Sequence, residues 1–199
     1  MSLHKNKNNA IKLILVGDSG AGKTNLISVA SGFDFNHETT TTTSCSYIQK
    51  IITKNGKDYK INLWDTIGQE KYRSLTKIFI KDSKIVLFVY DITNRTSFES
   101  LKFWDETIEN ILGKEPIFAV VGNKIDLYLE EKVVESEAEE FAKSIGAKFK
   151  LTSAKNDPKA FCEFIEDLLD DYIEKFGDSV NENKTIILDK EDNVKKGCC

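Results

Sequence analysis

The 199-residue chain is 40% hydrophobic and 10% aromatic, enough to bury one domain core plus short tails, which excludes disorder as its main state. With 28 Lys+Arg against 32 Asp+Glu the formal charge is −4, so no basic field exists for wrapping a nucleic acid backbone and no nucleic acid partner is expected. The longest apolar run, Ile85 to Tyr90, falls far short of the roughly 18 residues of a membrane span, and the opening MSLHKNKNNA lacks the apolar stretch of a signal peptide. Cysteines at 45, 162, 198 and 199 and histidines at 4 and 37 offer neither a zinc ligand set nor a disulfide framework; the chain reads as cytosolic.

Short apolar runs alternate with amphipathic stretches, the signature of an α/β domain with a mainly parallel sheet. In chain order, a first strand over 11–17 feeds a helix over 23–31. Strands over 47–53 and 58–65 flank Asn55-Gly56, the strongest short hairpin signal, so this pair is expected antiparallel and the others parallel. A short helix between 70 and 80 precedes a strand over 84–91. The box Thr96-x-x-Glu99 predicts a helix over 97–112, followed by a strand over 117–123. Ser136-x-x-Glu139 opens a helix to about 145, and a strand follows over 148–152. Asp157 as N-cap, with Pro158 at the first helical position, opens the last helix to about 175. The domain is thus expected over 8–176, with a polar, flexible tail over 177–199.

Strand one runs straight into Gly17-Asp18-Ser19-Gly20-Ala21-Gly22-Lys23-Thr24, an unbroken G-x-x-x-x-G-K-[ST] with a strand before it and a helix after it. Glycines let the backbone N–H groups of such a loop turn inward on phosphate oxygens, and the helix N-terminus adds its partial positive charge. Ser19, Gly20, Ala21, Gly22, Lys23, Thr24 and Asn25 are therefore the expected phosphate-side set. Lys23 neutralises β and γ phosphate charge, and the Thr24 hydroxyl ligates Mg2+. The bland alternative is a Gly-rich turn that matches by chance.

The fifth strand ends in Asn123-Lys124-Ile125-Asp126, on the sheet edge that carries the phosphate loop. A carboxylate at Asp126 can accept from both the ring N–H and the exocyclic amino group of guanine, donors that adenine lacks. Rejecting a base that leaves such a group unpaired is worth about 10⁴-fold or more. Asn123 is expected to hold the loop and the purine N7 edge, with the Lys124 stem over the base plane. Ser153, Ala154 and Lys155 end strand six, where their backbone can reach the guanine oxygen. Read alone, N-K-x-D is also a common polar turn. Strand three ends in Asp65-Thr66-Ile67-Gly68-Gln69. Asp65 suits a magnesium role through water, Gly68 an N–H toward the γ phosphate, and Gln69 the orientation of an attacking water.

On these motifs, in this order, the chain resembles the Ras-like small GTPases over essentially the whole domain, and within them the Rab family. Further stretches are similar to Rab proteins: Lys60-Ile61-Asn62-Leu63-Trp64, Lys71-Tyr72-Arg73-Ser74-Leu75-Thr76, Phe88-Val89-Tyr90-Asp91-Ile92-Thr93 and the terminal Gly197-Cys198-Cys199. The resemblance implies an α/β P-loop small-GTPase fold: a six-stranded, mostly parallel sheet with one antiparallel strand and about five helices on its two faces. It implies hydrolysis of GTP to GDP and phosphate, with Mg2+ held by Thr24, by Thr42 and, through water, by Asp65. Five threonines in a row, Thr39 to Thr43, leave the register of Thr42 open by one residue. By the same resemblance, Phe35 shields the open side of the nucleotide and Gln69 is the catalytic residue.

Two switch segments, over 36–47 and 68–80, are implied to order around GTP. The implied partners are an exchange factor, a GTPase-activating protein, a prenylation escort, a GDP-dissociation inhibitor and effectors that read the switches. Implied too is a lipid-anchored life on the cytosolic face of endomembranes or vesicles, cycling with a soluble pool, in vesicle-mediated transport. The chain departs from the Rab pattern at Thr43-Ser44-Cys45-Ser46-Tyr47, where Ile-Gly-Val-Asp-Phe is usual. It departs again at Ile67, which replaces a small alanine, and at Phe79-Ile80-Lys81-Asp82.

The final cysteines are not a C-a-a-X box, since Lys196 stands fourth from the end. They look like a Rab double-prenylation site. With lysines at 184, 190, 195 and 196 against acids at 178, 182, 189, 191 and 192, the tail has no polybasic second signal, so anchoring needs lipid on both Cys198 and Cys199. Unmodified exposed thiols, or a strained vicinal disulfide, are the alternative. Two other functions compete with the switch: a guanine-nucleotide-binding scaffold with impaired hydrolysis, argued from Ile67, and a nucleotide kinase, which needs an arginine-rich lid that this chain hardly supplies.

Overall fold

The computed structural model describes residues 10–36, 42, 45–66 and 78–177. Six strands, β1 (Ile11–Val16), β2 (Ser46–Lys54), β3 (Lys57–Asp65), β4 (Ile85–Asp91), β5 (Ile117–Asn123) and β6 (Lys148–Leu151), form one sheet in the order β2-β3-β1-β4-β5-β6. Among the described strands only the β2–β3 hairpin is antiparallel, turning at Asn55-Gly56, both at positive φ; the other strand pairings are parallel. Each strand boundary lies within one residue of its expected place.

Five α-helices and one 3₁₀ segment are described: α1 (Lys23–Ala30), α2 (Arg95–Glu99), α3 (Leu101–Leu112), the 3₁₀ segment Ile125–Glu130, α4 (Glu135–Ser144) and α5 (Pro158–Phe176). Because strand side chains alternate between faces, Leu13 and Leu15 enter one core and Ile14 and Val16 the other. The first core is closed by α1 and α5, whose Phe161, Ile165, Leu168 and Leu169 are fully buried at helical spacing. The second is closed by α2, α3 and α4 through Phe98, Trp104, Ile108 and Ala138. Burial on both faces explains why β4 reads IVLFVYD with every residue inside.

The helix starts show where local signals win and lose. Asp157 caps α5, accepting from the Ala160 N–H at 3.1 Å with Pro158 behind it, as predicted. The single helix predicted over 97–112 is two helices meeting at Ser100, and its cap is Asn94, which accepts from the Ser97 N–H at 3.3 Å, rather than Thr96. Asparagine outranks threonine as a cap, and the Ser97 hydroxyl bridges the Asn94 and Asp91 carbonyls, which fixes the start two residues upstream. The Ser136 box does not form: α4 starts at Glu135 after Val134 without a side-chain cap, and Glu139 pairs with Lys143 at 3.3 Å. The 3₁₀ segment had no sequence signal. Of the short helix expected between 70 and 80, residues 78–80 are helical and the rest lies outside the described residues.

Parallel pairing of β3, β1, β4, β5 and β6 puts their carboxyl ends on one edge of the sheet. The chain winds outward from β1 in both directions, so the loop after β1 stands at the switch point where open α/β sheets bind ligands. No described helix is long and apolar enough to cross a membrane.

Candidate nucleotide site

The loop after β1 is pressed against its neighbours at two glycines. Gly17 has φ +143°, and a Cβ there would lie 2.1 Å from the Val89 carbonyl oxygen on β4; Gly22 has φ +91°, and a Cβ there would lie 2.3 Å from Asn123 Nδ2 on β5. Any side chain would push the loop off the sheet edge. Lys23 is 5% exposed and donates from Nζ to the Gly17 and Asp18 carbonyls at 2.8 and 2.9 Å. Burial lowers its pKa to about 8, against the opposing pull of Asp65 and Asp18. It is a buried cation bonded to neutral carbonyls, and an entering anion relieves that cost.

Three oxygens meet beside it. Thr24 Oγ1 donates to Asp65 Oδ2 at 2.7 Å, Thr42 Oγ1 approaches the same carboxylate oxygen at 3.2 Å, and the two hydroxyls are 2.9 Å apart. Burial raises the Asp65 pKa, opposed by its bonds to Thr24 and Thr42 and by the Lys23 charge. The other carboxylate oxygen, Oδ1, is buried with no hydrogen-bond partner among the described residues. An all-oxygen donor set with an orphaned buried acceptor fits a hard divalent cation such as Mg2+.

Asn25, which follows Thr24, is 8% exposed and donates to the Asn36 carbonyl at 3.1 Å, tying α1 to the segment that leads to Thr42. Phe35 is partly buried and packs against the first core. Ser19 and Gly20 are exposed, while Ala21 is buried.

The far half of the edge is knit by β5 and β6. Asn123, 2% exposed, donates from Nδ2 to the Ala21 carbonyl at 2.9 Å, and its Oδ1 accepts from the Ala154 N–H at 3.3 Å. One Nδ2 hydrogen is thus spent on the loop, and only the other is free for a purine N7. Asp126 Oδ1 accepts from the Ser153 hydroxyl at 2.5 Å, a side-chain role where a backbone contact was expected. Lys155 is exposed. Lys124 takes φ +68°, and its ammonium pairs with Asp91 Oδ2 at 2.6 Å, which leaves its stem as the part able to face a base.

Asp91 and Ser100 were missed as site-supporting residues. Asp91 ends β4 opposite Asn123 in register, and a carboxylate at that strand end was the available signal. Ser100 carried none. Thr66, beside Asp65, is fully buried and donates to the Leu15 carbonyl at 2.6 Å, locking the end of β3 onto β1. Ile67, Gly68, Gln69, Cys198 and Cys199 lie outside the described residues. Next to the site, Tyr47 and Trp64 stack at 4.8 Å between ring centroids, Trp64 meets Phe79 at 6.0 Å, and Lys12 lies over the indole at 4.6 Å.

The Ras family model matches residues 12–173. Ras-related protein Rab-21 of Homo sapiens is 39% identical over 165 residues, covering 83% of this chain and 73% of its own length. The Ras-related protein Rab-21 of Geodia cydonium is 38% identical over 157 residues, 79% and 68% of the two chains. Ras-related protein Rab-8B of Pongo abelii is 35% identical over 171 residues, 84% and 83%.

Proposed function

The chain belongs to the Ras family of small GTPases, on its Rab side, and from that membership we propose that it is a guanine-nucleotide switch that binds GTP, hydrolyses it to GDP and acts in membrane trafficking. One geometric fact carries the reading: the buried Lys23 ammonium, the Thr24, Thr42 and Asp65 oxygens and the Asp126 carboxylate sit on the same sheet edge. A cation and an oxygen triad at one end and a base-reading carboxylate at the other match the charge order of a nucleoside triphosphate.

Backbone N–H groups of Ser19 to Thr24 cradle the phosphates, and Lys23 exchanges its two carbonyls for β and γ oxygens. Thr24, Thr42 and, through water, Asp65 would hold Mg2+, which when bound neutralises charge between those phosphates. Asp126, steadied by Ser153, accepts both guanine donors. The Ala154 N–H, already shared with Asn123 Oδ1 at 3.3 Å, and Lys155 would turn toward the guanine oxygen, and Phe35 would border the opening. Gln69 orients water toward the γ phosphorus, and Gly68 turns its N–H to a γ oxygen. The bond to the β–γ bridging oxygen breaks as the water oxygen bonds, leaving GDP and phosphate.

Rigid contacts fix the phosphate and base ends, so GTP and GDP differ only at the γ position, which Thr42 and Gln69 report. The Tyr47–Trp64–Phe79 stack joins the two reporting segments and is the surface on which effectors would read them. Cys198 and Cys199 carry prenyl groups in this reading, delivered by an escort and extracted by a GDP-dissociation inhibitor; an exchange factor and a GTPase-activating protein set the cycle.

The deciding experiment is competition binding on the full chain followed by single-turnover hydrolysis. GTP and GDP should displace a labelled guanine nucleotide at least 10³-fold better than ATP, and phosphate should appear once per loaded protein. Equal displacement by ATP overturns the guanine reading. Loaded protein that releases no phosphate, even with a GTPase-activating protein, leaves the scaffold reading, which the branched Ile67 before Gly68 favours.

A further inference from the structure

A carboxylate inside a phosphate-binding loop is an electrostatic liability, because it repels the anion that the loop serves. Asp18 is the second residue of this loop. Its backbone oxygen accepts from Lys23, but its side chain is held from outside the loop. Asp18 Oδ2 accepts from the Ser100 hydroxyl at 2.5 Å, and Oδ1 faces the indole N–H of Trp104 at 3.4 Å. Both donors belong to the start of α3, more than eighty residues away in sequence.

Trp104 is fully buried, so its indole is a fixed post. Ser100 sits at the joint between α2 and α3 with φ −65° and ψ −18°, its N–H on the Thr96 carbonyl and its own carbonyl taken by the Trp104 N–H. Backbone bonds on both sides hold the hydroxyl in place. The two oxygens of one carboxylate thus meet two neutral donors on one rigid helix turn.

We infer that Ser100 and Trp104 are positioning residues of the phosphate loop, clamping the Asp18 carboxylate against α3 and keeping its charge out of the phosphate cradle. This rests on the nucleotide reading of the loop. The clamp explains how the loop tolerates an acid beside Lys23. Released from it, the carboxylate turns toward the anion and competes with phosphate for the Lys23 ammonium.

The test is GDP and GTP dissociation from the full chain carrying Ser100→Ala, Asp18→Asn or both, at low and high salt, with Ser100→Thr and Trp104→Phe as companions. Ser100→Ala should speed GDP release about tenfold, GTP release more, and both less at high salt, as expected for exposing one charge to phosphate. In the Asp18→Asn background the same change should have little effect. Ser100→Thr should restore retention, and Trp104→Phe should reproduce part of the loss. Equal acceleration with and without the Asp18 charge, or none in Ser100→Ala, overturns the proposal. A wild-type chain that binds no GDP at all overturns instead the nucleotide reading beneath it.

Discussion

Ser153 Oγ lies 2.5 Å from Oδ1 of Asp126, so the acid expected to read guanine is itself held by a residue from the next loop. Ser153 is 1% exposed and also accepts from the Asn156 N–H at 3.0 Å, so its hydroxyl direction is set by a closed turn. Asp126→Asn should weaken guanine nucleotides by about 3 kcal/mol or more, because two donors lose their charged acceptor. Ser153→Ala leaves the carboxylate in place but loose and should cost about 1 kcal/mol. Equilibrium titration with a fluorescent guanine nucleotide reads both; equal losses for the two variants would mean that Asp126 does not touch the base.

The Lys124–Asp91 pair offers a second handle on retention. Asp91 Oδ1 accepts from both the backbone N–H and the hydroxyl of Thr93, so Asp91→Asn keeps those bonds and removes only the charge facing Lys124. The lysine stem then loses its fixed direction. GDP should leave severalfold faster, about 1 kcal/mol for a partly buried pair, with little change in melting temperature. Unchanged dissociation would show that Lys124 needs no guide.

Tyr90 points to a stability gain. It is fully buried, its hydroxyl has no partner among the described residues, and burial drives its pKa far above the usual tyrosine value. The hydroxyl fills the place of a side chain at Gly122, where a Cβ would lie 2.6 Å from it. Tyr90→Phe removes an unpaired polar atom at little loss of packing, so the chain should gain about 1 kcal/mol, or a few degrees in melting temperature. Calorimetry decides the matter, and a loss of stability would reveal a partner for the hydroxyl.

Ile67 is the departure closest to the chemistry. A β-branched residue before Gly68 restricts the local backbone, and in the proposed mechanism a misplacement of Gln69 by about 1 Å can cost 10²-fold in rate. Ile67→Ala should therefore raise intrinsic GTP hydrolysis severalfold while GDP affinity, set by the phosphate loop and Asp126, stays nearly constant. Single-turnover phosphate release on preloaded protein measures the first, and dissociation kinetics the second. Equal hydrolysis in the two proteins would remove the ground for a slow switch.

Lipidation gives the last expectation. A tail without a basic cluster holds a bilayer marginally through one prenyl chain, so the single serine variants at Cys198 and Cys199 should each shift the chain toward the soluble fraction and the double variant should leave the membrane. Membrane recovery unchanged in the double variant would mean that the thiols are not the anchor.

Features governed by neighbours in sequence were legible from it. Asn55-Gly56 turns the hairpin, Asp157-Pro158 starts α5, and the alternation of apolar residues divides β1 between two cores, because each depends on dihedral preferences and a fixed side-chain period. The Gly-rich loop between β1 and α1 and the N-K-x-D turn after β5 fall where the sequence placed them for the same reason: each is a local segment bounded by its own strand. Tertiary contact alone decided the rest. Thr42 within a run of identical residues has no local mark; its hydroxyl meets Asp65 of β3, while the other four threonines lie outside the described residues. Thr96-x-x-Glu99 and Ser136-x-x-Glu139 are sound local caps that yielded to Asn94 and to the course of the chain past Val134, since a cap is worth only about 1 kcal/mol and packing exceeds it. The links Asp18–Ser100, Asp91–Lys124 and Ser153–Asp126 join loops brought together at one sheet edge by strand order, and strand order is set by which apolar faces bury one another rather than by any residue in the loops themselves.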